Sequence, residues 1–150
     1  MKQFFIVVFF LFSLVNLQGQ NDKITQNLEK FTTIKAFDGL SINLIKSTVN
    51  KEGVLKLRME LGKIFSGYRT FVDIYYTEEL VTIDVNEDAR ISNKEVIKQD
   101  LLELKAQEGG ELIINTQVEQ LLIKTVTGGV ITTTGFSDNQ DVMINTGGIY

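Results

Sequence analysis

Apolar and polar residues alternate strictly along much of the chain. In Leu55-Lys56-Leu57-Arg58-Met59-Glu60-Leu61 the leucines and Met59 fall on one side of an extended backbone and the charged residues on the other. Leu40, Ile42 and Leu44 repeat the pattern around Ser41 and Asn43. Val72, Ile74 and Tyr76 do so around Asp73, and Val81, Ile83 and Val85 around Thr82 and Asp84. Period two marks strands with one buried face, whereas a helix spaces apolar residues three and four apart. Gly39, Gly53, Gly62 and Gly67 fall between the runs, where turns are expected. The pattern predicts an all-β protein. Two stretches read less simply. In and just after residues 22–30, Ile24, Leu28 and Phe31 have helical spacing, but the stretch is short and uncapped and reads as a loop or edge strand leading into Phe31–Phe37. Asn93–Gln99 fits one helical turn or a loop bulging from the sheet.

The second half of the chain repeats itself. Gly-Gly pairs begin at Gly109, Gly128 and Gly147, each 19 positions after the last. At the same offset Leu102 aligns with Leu121, Leu104 with Ile123 and Val142, Lys105 with Lys124, and Leu112 with Ile131. One period earlier, Ile83 and Val85 align with Leu102 and Leu104. The segments Leu101–Thr116, Gln120–Gly135 and Gln140–Tyr150 thus read as copies of strand, Gly-Gly turn, strand. A short fixed period of this kind is a solenoid signature. Each copy is too short to bury its own apolar face, and stacking at about 4.8 Å buries a shared column instead. The expected interior stack is Val85, Leu104, Ile123 and Val142, with Gly-Gly at a corner too tight for side chains. The competing architecture is an antiparallel meander of similar hairpins.

The N-terminus adds a location. Met1-Lys2-Gln3 precedes an apolar run from Phe4 to Val15, broken only by Ser13, and a short polar exit from Asn16 to Gln20. That is the layout of a secretory signal peptide, with cleavage expected after Gly19. The alternative is an uncleaved anchor, for which the run falls short of the roughly 20 apolar residues a span needs. No cysteine follows the run, so no lipoprotein-type attachment site is present. Residues 20–150 are expected to form one domain. The whole chain has 15 basic and 19 acidic residues; without Lys2 the balance is 14 against 19, net −5. Lys35, Lys46, Lys56, Lys63, Lys105 and Lys124 are dispersed, so nothing points to nucleic acid or anionic lipid.

Three absences from the sequence are informative: cysteine, histidine and proline. Their absence removes disulfides and thiolate metal sites, imidazole acid–base chemistry, and interruptions of strand ladders. The candidate chemistry is therefore carboxylate chemistry. Asp84, Glu87 and Asp88 lie close in sequence with Arg90 nearby, followed by Asp138 and Asp141. Asp84 and Asn86 share a strand face, with Asp88 beyond, a spacing that offers oxygen ligands to a hard cation. The plainer reading is a solvated strand end and a polar turn, since the glycine and terminal glutamate of a calcium loop are missing. Asp138-Asn139-Gln140-Asp141 reads as a turn between two strands. The Gly-Gly pairs lack every other feature of a phosphate loop. Phe65, Tyr68, Phe71, Tyr75 and Tyr76 could stack on sugars or pack against a neighbouring layer; alternation puts Phe71 and Tyr75 on one face and Val72, Ile74 and Tyr76 on the other. The threonines at 125, 127, 132, 133, 134 and 146 predict solvent-facing ladders on a weakly charged face.

Several runs resemble one family. They are Met59-Glu60-Leu61-Gly62-Lys63-Ile64-Phe65-Ser66-Gly67-Tyr68 with Phe71-Val72-Asp73-Ile74-Tyr75-Tyr76, then Leu102-Glu103-Leu104-Lys105-Ala106-Gln107-Glu108-Gly109-Gly110, and Ile144-Asn145-Thr146-Gly147-Gly148-Ile149-Tyr150. Over roughly Phe31 to Tyr150 the chain resembles a Bacteroidetes domain described as putative auto-transporter adhesin, head GIN domain. The resemblance implies export and a right-handed parallel β-helix of short rungs, and carries over no functional residue. Family members continue past the position of Tyr150 and carry an extra strand where Ser47-Thr48-Val49-Asn50 is short. The expectation is a fragment, or a solenoid open at its C-terminal end that self-associates there.

Together these readings predict a non-enzymatic envelope or surface module, in the periplasm, on the outer membrane or outside the cell. Its expected partners are polysaccharide, another protein or a second copy, with no nucleic acid, cofactor or metal and no catalytic residue. The opposing reading is a β-helix lyase or hydrolase acting on carbohydrate, which requires at least three carboxylates and a basic residue in one groove. A purely structural scaffold is the third.

Overall fold

In the computed structural model, which describes residues 28, 31–46, 54–57 and 71–150, every alternating run within those bounds contains a strand. The strands are β1 (Thr33–Ala36), β2 (Ser41–Lys46), β3 (Val54–Leu57), β4 (Phe71–Tyr76), β5 (Thr82–Val85), β6 (Arg90–Asn93), β7 (Ile97–Ala106), β8 (Glu111–Thr125) and β9 (Val130–Ile144). Among the described residues there is no helix, so none that could cross a membrane. The expected signal peptide, from Met1 to Gly19, lies outside the described residues, as do Arg58–Leu61 and the aromatics Phe65 and Tyr68.

Among the described residues every strand pairing is parallel, which rules out the hairpin meander, whose neighbours run antiparallel. The strands form one sheet in the order β3-β1-β5-β7-β8-β6-β2-β4, with β9 beside β8. β8 takes part in both wings. Its first residues pair with β6, and Thr116 onward pairs with β7. The sheet therefore curls about β8 into a half-barrel, consistent with a β-helix-like fold.

Alternation aims one face of each wing inward. One wing stacks Ile34, Ile83, Leu104 and Ile123 in register. The other stacks Ile42, Ile91, Leu112 and Ile131. All eight are buried and belong to one core. Burial of a side chain of this size contributes roughly 1.5–3 kcal/mol, so these columns dominate the stability of a chain without disulfides.

The expected interior stack of Val85, Leu104, Ile123 and Val142 is corrected at both ends: Val142 is in register with Ile123 but exposed, and Val85 belongs to another column. Ile83, and not Val85, lies beside Leu104, while Val85 lies beside Ala106, in register with Thr125 and Ile144. In β7, β8 and β9 each residue pairs with the one 19 positions on, as Ile97 with Thr116 and Glu111 with Val130. Strands β5 and β7, however, pair at 21. The two extra residues fall between Ser92, which still pairs at 21, and Ile97, which pairs at 19. There the backbone bends at Lys94 and Glu95, so Asn93–Gln99 holds no helical turn: a bulge of Lys94, Glu95 and Val96 separates the end of β6 from the start of β7.

The ladder of hydrogen bonds continues around the Gly-Gly corners. Gly110 N–H donates to Gln107 O at 2.9 Å, Gly129 to Val126 at 3.0 Å and Gly148 to Asn145 at 3.0 Å. Both central residues of each turn have positive φ, for example Thr127 at 49° and Gly128 at 75°, the geometry of a type I′ turn. The second glycine answers to space: a Cβ on Gly129 would lie 2.1 Å from Ala106 O. The same turn recurs at Asn86–Ala89, where Ala89 N–H donates to Asn86 O at 2.9 Å and Asp88, at φ 58°, stands in for the first glycine.

Candidate functional site

Outward-facing residues of these walls are stacked as regularly as the core, so each polar side chain meets those directly above and below it. On the wing of β1, β5 and β7, Asp84 lies between Lys35 and Lys105 in register. Lys35 Nζ donates to Asp84 Oδ2 at 2.6 Å and Asn86 Nδ2 donates to Oδ1 at 3.0 Å. Asp84 and Asn86 do share a face, as period two requires, yet both are buried. Asp84 is thus no solvated strand end: its two oxygens are engaged by an ammonium and an amide. Beside it Lys105 pairs with Glu103 at 2.7 Å, and Thr82 Oγ1 donates to Glu103 Oε2 at 3.0 Å.

The other carboxylates are dispersed. Glu87 and Asp88 are exposed on the turn after β5. Asp138 and Asp141 are exposed on β9, which runs unbroken through both of them. The expected turn at 138–141 is therefore a strand, because β8 supplies a continuous partner on either side of Asp138. Asp100, Glu119 and Asp138 occupy one corner position at the same repeat offset, between the paired stretches of their strands. This acidic column went unread in the sequence, although its constant spacing was visible. Among the described residues no three acidic side chains form a group able to hold a metal ion.

Two further expectations change. Thr125 does not face solvent; it is fully buried in the column above Val85 and Ala106, and its Oγ1 has no hydrogen-bond partner. Thr127, Thr132, Thr134 and Thr146 are exposed, and Thr133 is half-buried with Oγ1 3.0 Å from Tyr150 Oη. Among the aromatics, Tyr76 is buried and Tyr75 is 55% exposed, as the alternation of β4 requires. Val81, read as part of an inward-facing run, is exposed just before β5 begins.

What the structure brings together lies on the outer face of the second wing. A cleft of about 300 Å³ is lined by Ser41, Ile42, Asn43, Val72, Asp73, Arg90 and Ser92. It arises from register: Ser41 lies beside Arg90, and Asn43 between Asp73 and Ser92. Asn43 Nδ2 donates to Asp73 Oδ1 at 3.2 Å. Arg90 forms an ion pair with Glu111, its neighbour on β8. Ser41 is 7% exposed, and its Oγ makes no hydrogen bond. Burying a hydroxyl without a partner costs about 1–3 kcal/mol, so this atom marks a hydrogen-bonding place the fold leaves open. Sequence reading placed Arg90 among acid–base candidates and overlooked Ser41, Asn43, Asp73 and Ser92, which become neighbours only through pairings 30 and 49 positions apart.

A family model described as putative auto-transporter adhesin, head GIN domain, matches residues 47–150, more than half of the chain. No curated protein and no solved structure matches.

Proposed function

The chain belongs to the family of putative auto-transporter adhesin, head GIN domains, and from that premise we propose that it is a non-enzymatic module that binds a macromolecular partner at the cell surface. The family description supports a surface, adhesin-like role. In this reading the segment from Met1 to Gly19 is a cleaved signal peptide. The remainder, from Gln20 to Tyr150, forms a single right-handed parallel β-helix whose rungs follow the Gly-Gly period. The partner is a polysaccharide or a protein, or a second copy that pairs with the edge of β9.

The observation that carries the reading is the makeup of the cleft. It offers an amide, two hydroxyls, a carboxylate and an ion-paired guanidinium on a rigid sheet face. Such a set recognises a ligand by hydrogen bonding. The enzymatic alternative needs several carboxylates around one bond, and Asp84, Asp88, Asp138 and Asp141 are placed apart: one in the wall of β5, one on a turn, two on β9.

The test is retention of a panel of labelled polysaccharides and surface extracts on the immobilised mature chain, with reducing ends and unsaturated products assayed alongside. Binding without product is expected. Product formation that disappears in Asp84→Asn or Asp88→Asn chains that still fold would establish the enzyme instead. N-terminal sequencing of the exported protein should begin at Gln20.

A further inference from the structure

We propose that the cleft on the outer face of β2, β4 and β6 is a saccharide site selective for a neutral sugar unit. The inference deepens the surface-binding reading and rests on it for its biological setting, but the chemistry stands on the cleft itself. Its volume, about 300 Å³, lies at the small end of ligand clefts, the scale of one sugar unit of a longer chain.

The polar atoms match a diol. Asp73 accepts one hydrogen bond from Asn43, and a carboxylate has sites for about four. The side chains of Asn43, Ser41 and Ser92 supply donors and acceptors around it. Adjacent sugar hydroxyls each donate one proton and accept at the oxygen, so a carboxylate beside an amide satisfies a neighbouring pair at once. The unpartnered Oγ of buried Ser41 then gains the bond the free protein denies it. Tyr75 follows Asp73 by two residues on β4, on the same face, and is 55% exposed. It stands where the next unit of a chain would lie and offers an amphipathic ring.

Charge sets the selectivity. The guanidinium of Arg90 is matched by Glu111, so among the described residues that line the cleft the charge left over is that of Asp73. An anionic sugar would face that carboxylate and compete with Glu111 for the guanidinium. A neutral sugar meets neither obstacle.

The experiment is a titration of the isotope-labelled mature chain, followed by amide chemical shifts, with trisaccharides of glucose, xylose, mannose and N-acetylglucosamine, and with trigalacturonate. At least one neutral trisaccharide should give saturable shifts confined to residues 41–43, 72–75 and 90–92. Asp73→Ala should weaken that binding about tenfold or more, and Ser41→Ala about fivefold. Ser41→Ala removes a buried group without a partner, so its fold should persist, and the unperturbed remainder of the spectrum reports that directly. No saturable shift with any neutral probe, saturation by trigalacturonate alone, or shifts mapping elsewhere would overturn the proposal. Retention of polysaccharide that is unchanged in Asp73→Ala would remove this site and leave the surface-binding reading intact. Saturable binding here by a chain that adheres to no polysaccharide or extract would do the reverse.

Discussion

Residues 33–93 and residues 97–149 build the same two walls by different routes. In the later region each residue lies beside the one 19 positions on, and chain order is stacking order. In the earlier region β1 is flanked by β3 at an offset of 21 and by β5 at 49, and β2 by β4 at 30 and by β6 at 49. The chain thus lays the pair β3 and β4 on the far side of β1 and β2, then returns past them to begin β5. Both regions obey period two and both pair in parallel. The difference shows that inward and outward alternation, and not a fixed repeat length, is what the core requires. A fixed repeat follows only where every connection has the same length. The irregular region is also where the cleft lies, because unequal connections bring Ser41, Asp73 and Arg90 together from different parts of the sequence.

A sharp contrast within a single column is between Leu104, fully buried, and Val142, 42% exposed, with Ile123 between them. Leu104→Ala should cost about 2–5 kcal/mol, read from urea unfolding. Val142→Ala should cost no more than about 0.5 kcal/mol. Equal losses at the two positions would mean that β9 is covered in solution.

The turns divide in a similar way. A Cβ at Gly129 would also lie 2.7 Å from Gln107 N, while one at Gly128 would meet nothing within 4 Å. Gly129→Ala should therefore displace backbone and cost about 1–3 kcal/mol. Gly128→Ala carries only the penalty of a left-handed residue, about 1–2 kcal/mol. Ala89 holds the position of the second glycine in the 86–89 turn, so the close approach belongs to the later turns. If Gly129→Ala melts like the wild type, that approach is relaxed in solution.

How far the sequence could be read follows from these same elements. Alternation in Ile42–Leu44, Ile74–Tyr76 and Leu102–Leu104 identified the strands and their inner faces, because burial acts on each side chain locally. The constant Gly-Gly offset identified the partners of β7, β8 and β9. The offset failed at Val85, because a loop bulging at Asn93–Gln99 was one of two readings of that stretch and the two residues it adds to the repeat leave no mark in the apolar pattern. It also failed at Asp138–Asp141, where polar residues that favour turns are held extended by pairing with β8. The cleft was the least legible part. Its residues are ordinary polar positions on outward strand faces, and only the non-sequential order of β2, β4 and β6 makes them neighbours.

One side chain extends the join that β5 with β7 and β6 with β8 make between the two regions. Asn93 Nδ2 donates to Asn115 O at 2.9 Å, and Asn115 N–H donates to Asn93 Oδ1 at 2.7 Å. The carboxamide thus stands in for a peptide group where the bulge interrupts the pairing of β6 with β8. Asn93 Nδ2 also donates to Glu95 O at 2.7 Å, closing the bulge on itself. Asn93→Ala should cost about 1–2 kcal/mol and speed hydrogen exchange at the Asn115 amide. Exchange at Asn115 that stays as slow as in the wild type would show that the Asn93 carboxamide does not protect this amide.

The smallest effect concerns the same bulge and depends on pH. Tyr76, at the end of β4, has its phenol pKa raised above the ordinary value, first by burial and then by the negative charge of Glu95. A phenol with a higher pKa in the folded state keeps its proton there after the unfolded chain has lost its own. The unfolded state is then favoured as pH rises. The contribution is fully present below the ordinary value of about 10 and is lost as pH climbs through the folded value. Tyr76→Phe removes this contribution and should flatten the fall in urea midpoint above about pH 10. Glu95→Gln should act in the same direction but more weakly, since burial is the larger cause. If the wild type and Tyr76→Phe lose stability in parallel above pH 10, the phenol is as solvated in the folded protein as in the unfolded chain, and the end of β4 is open where its alternation requires it to be closed.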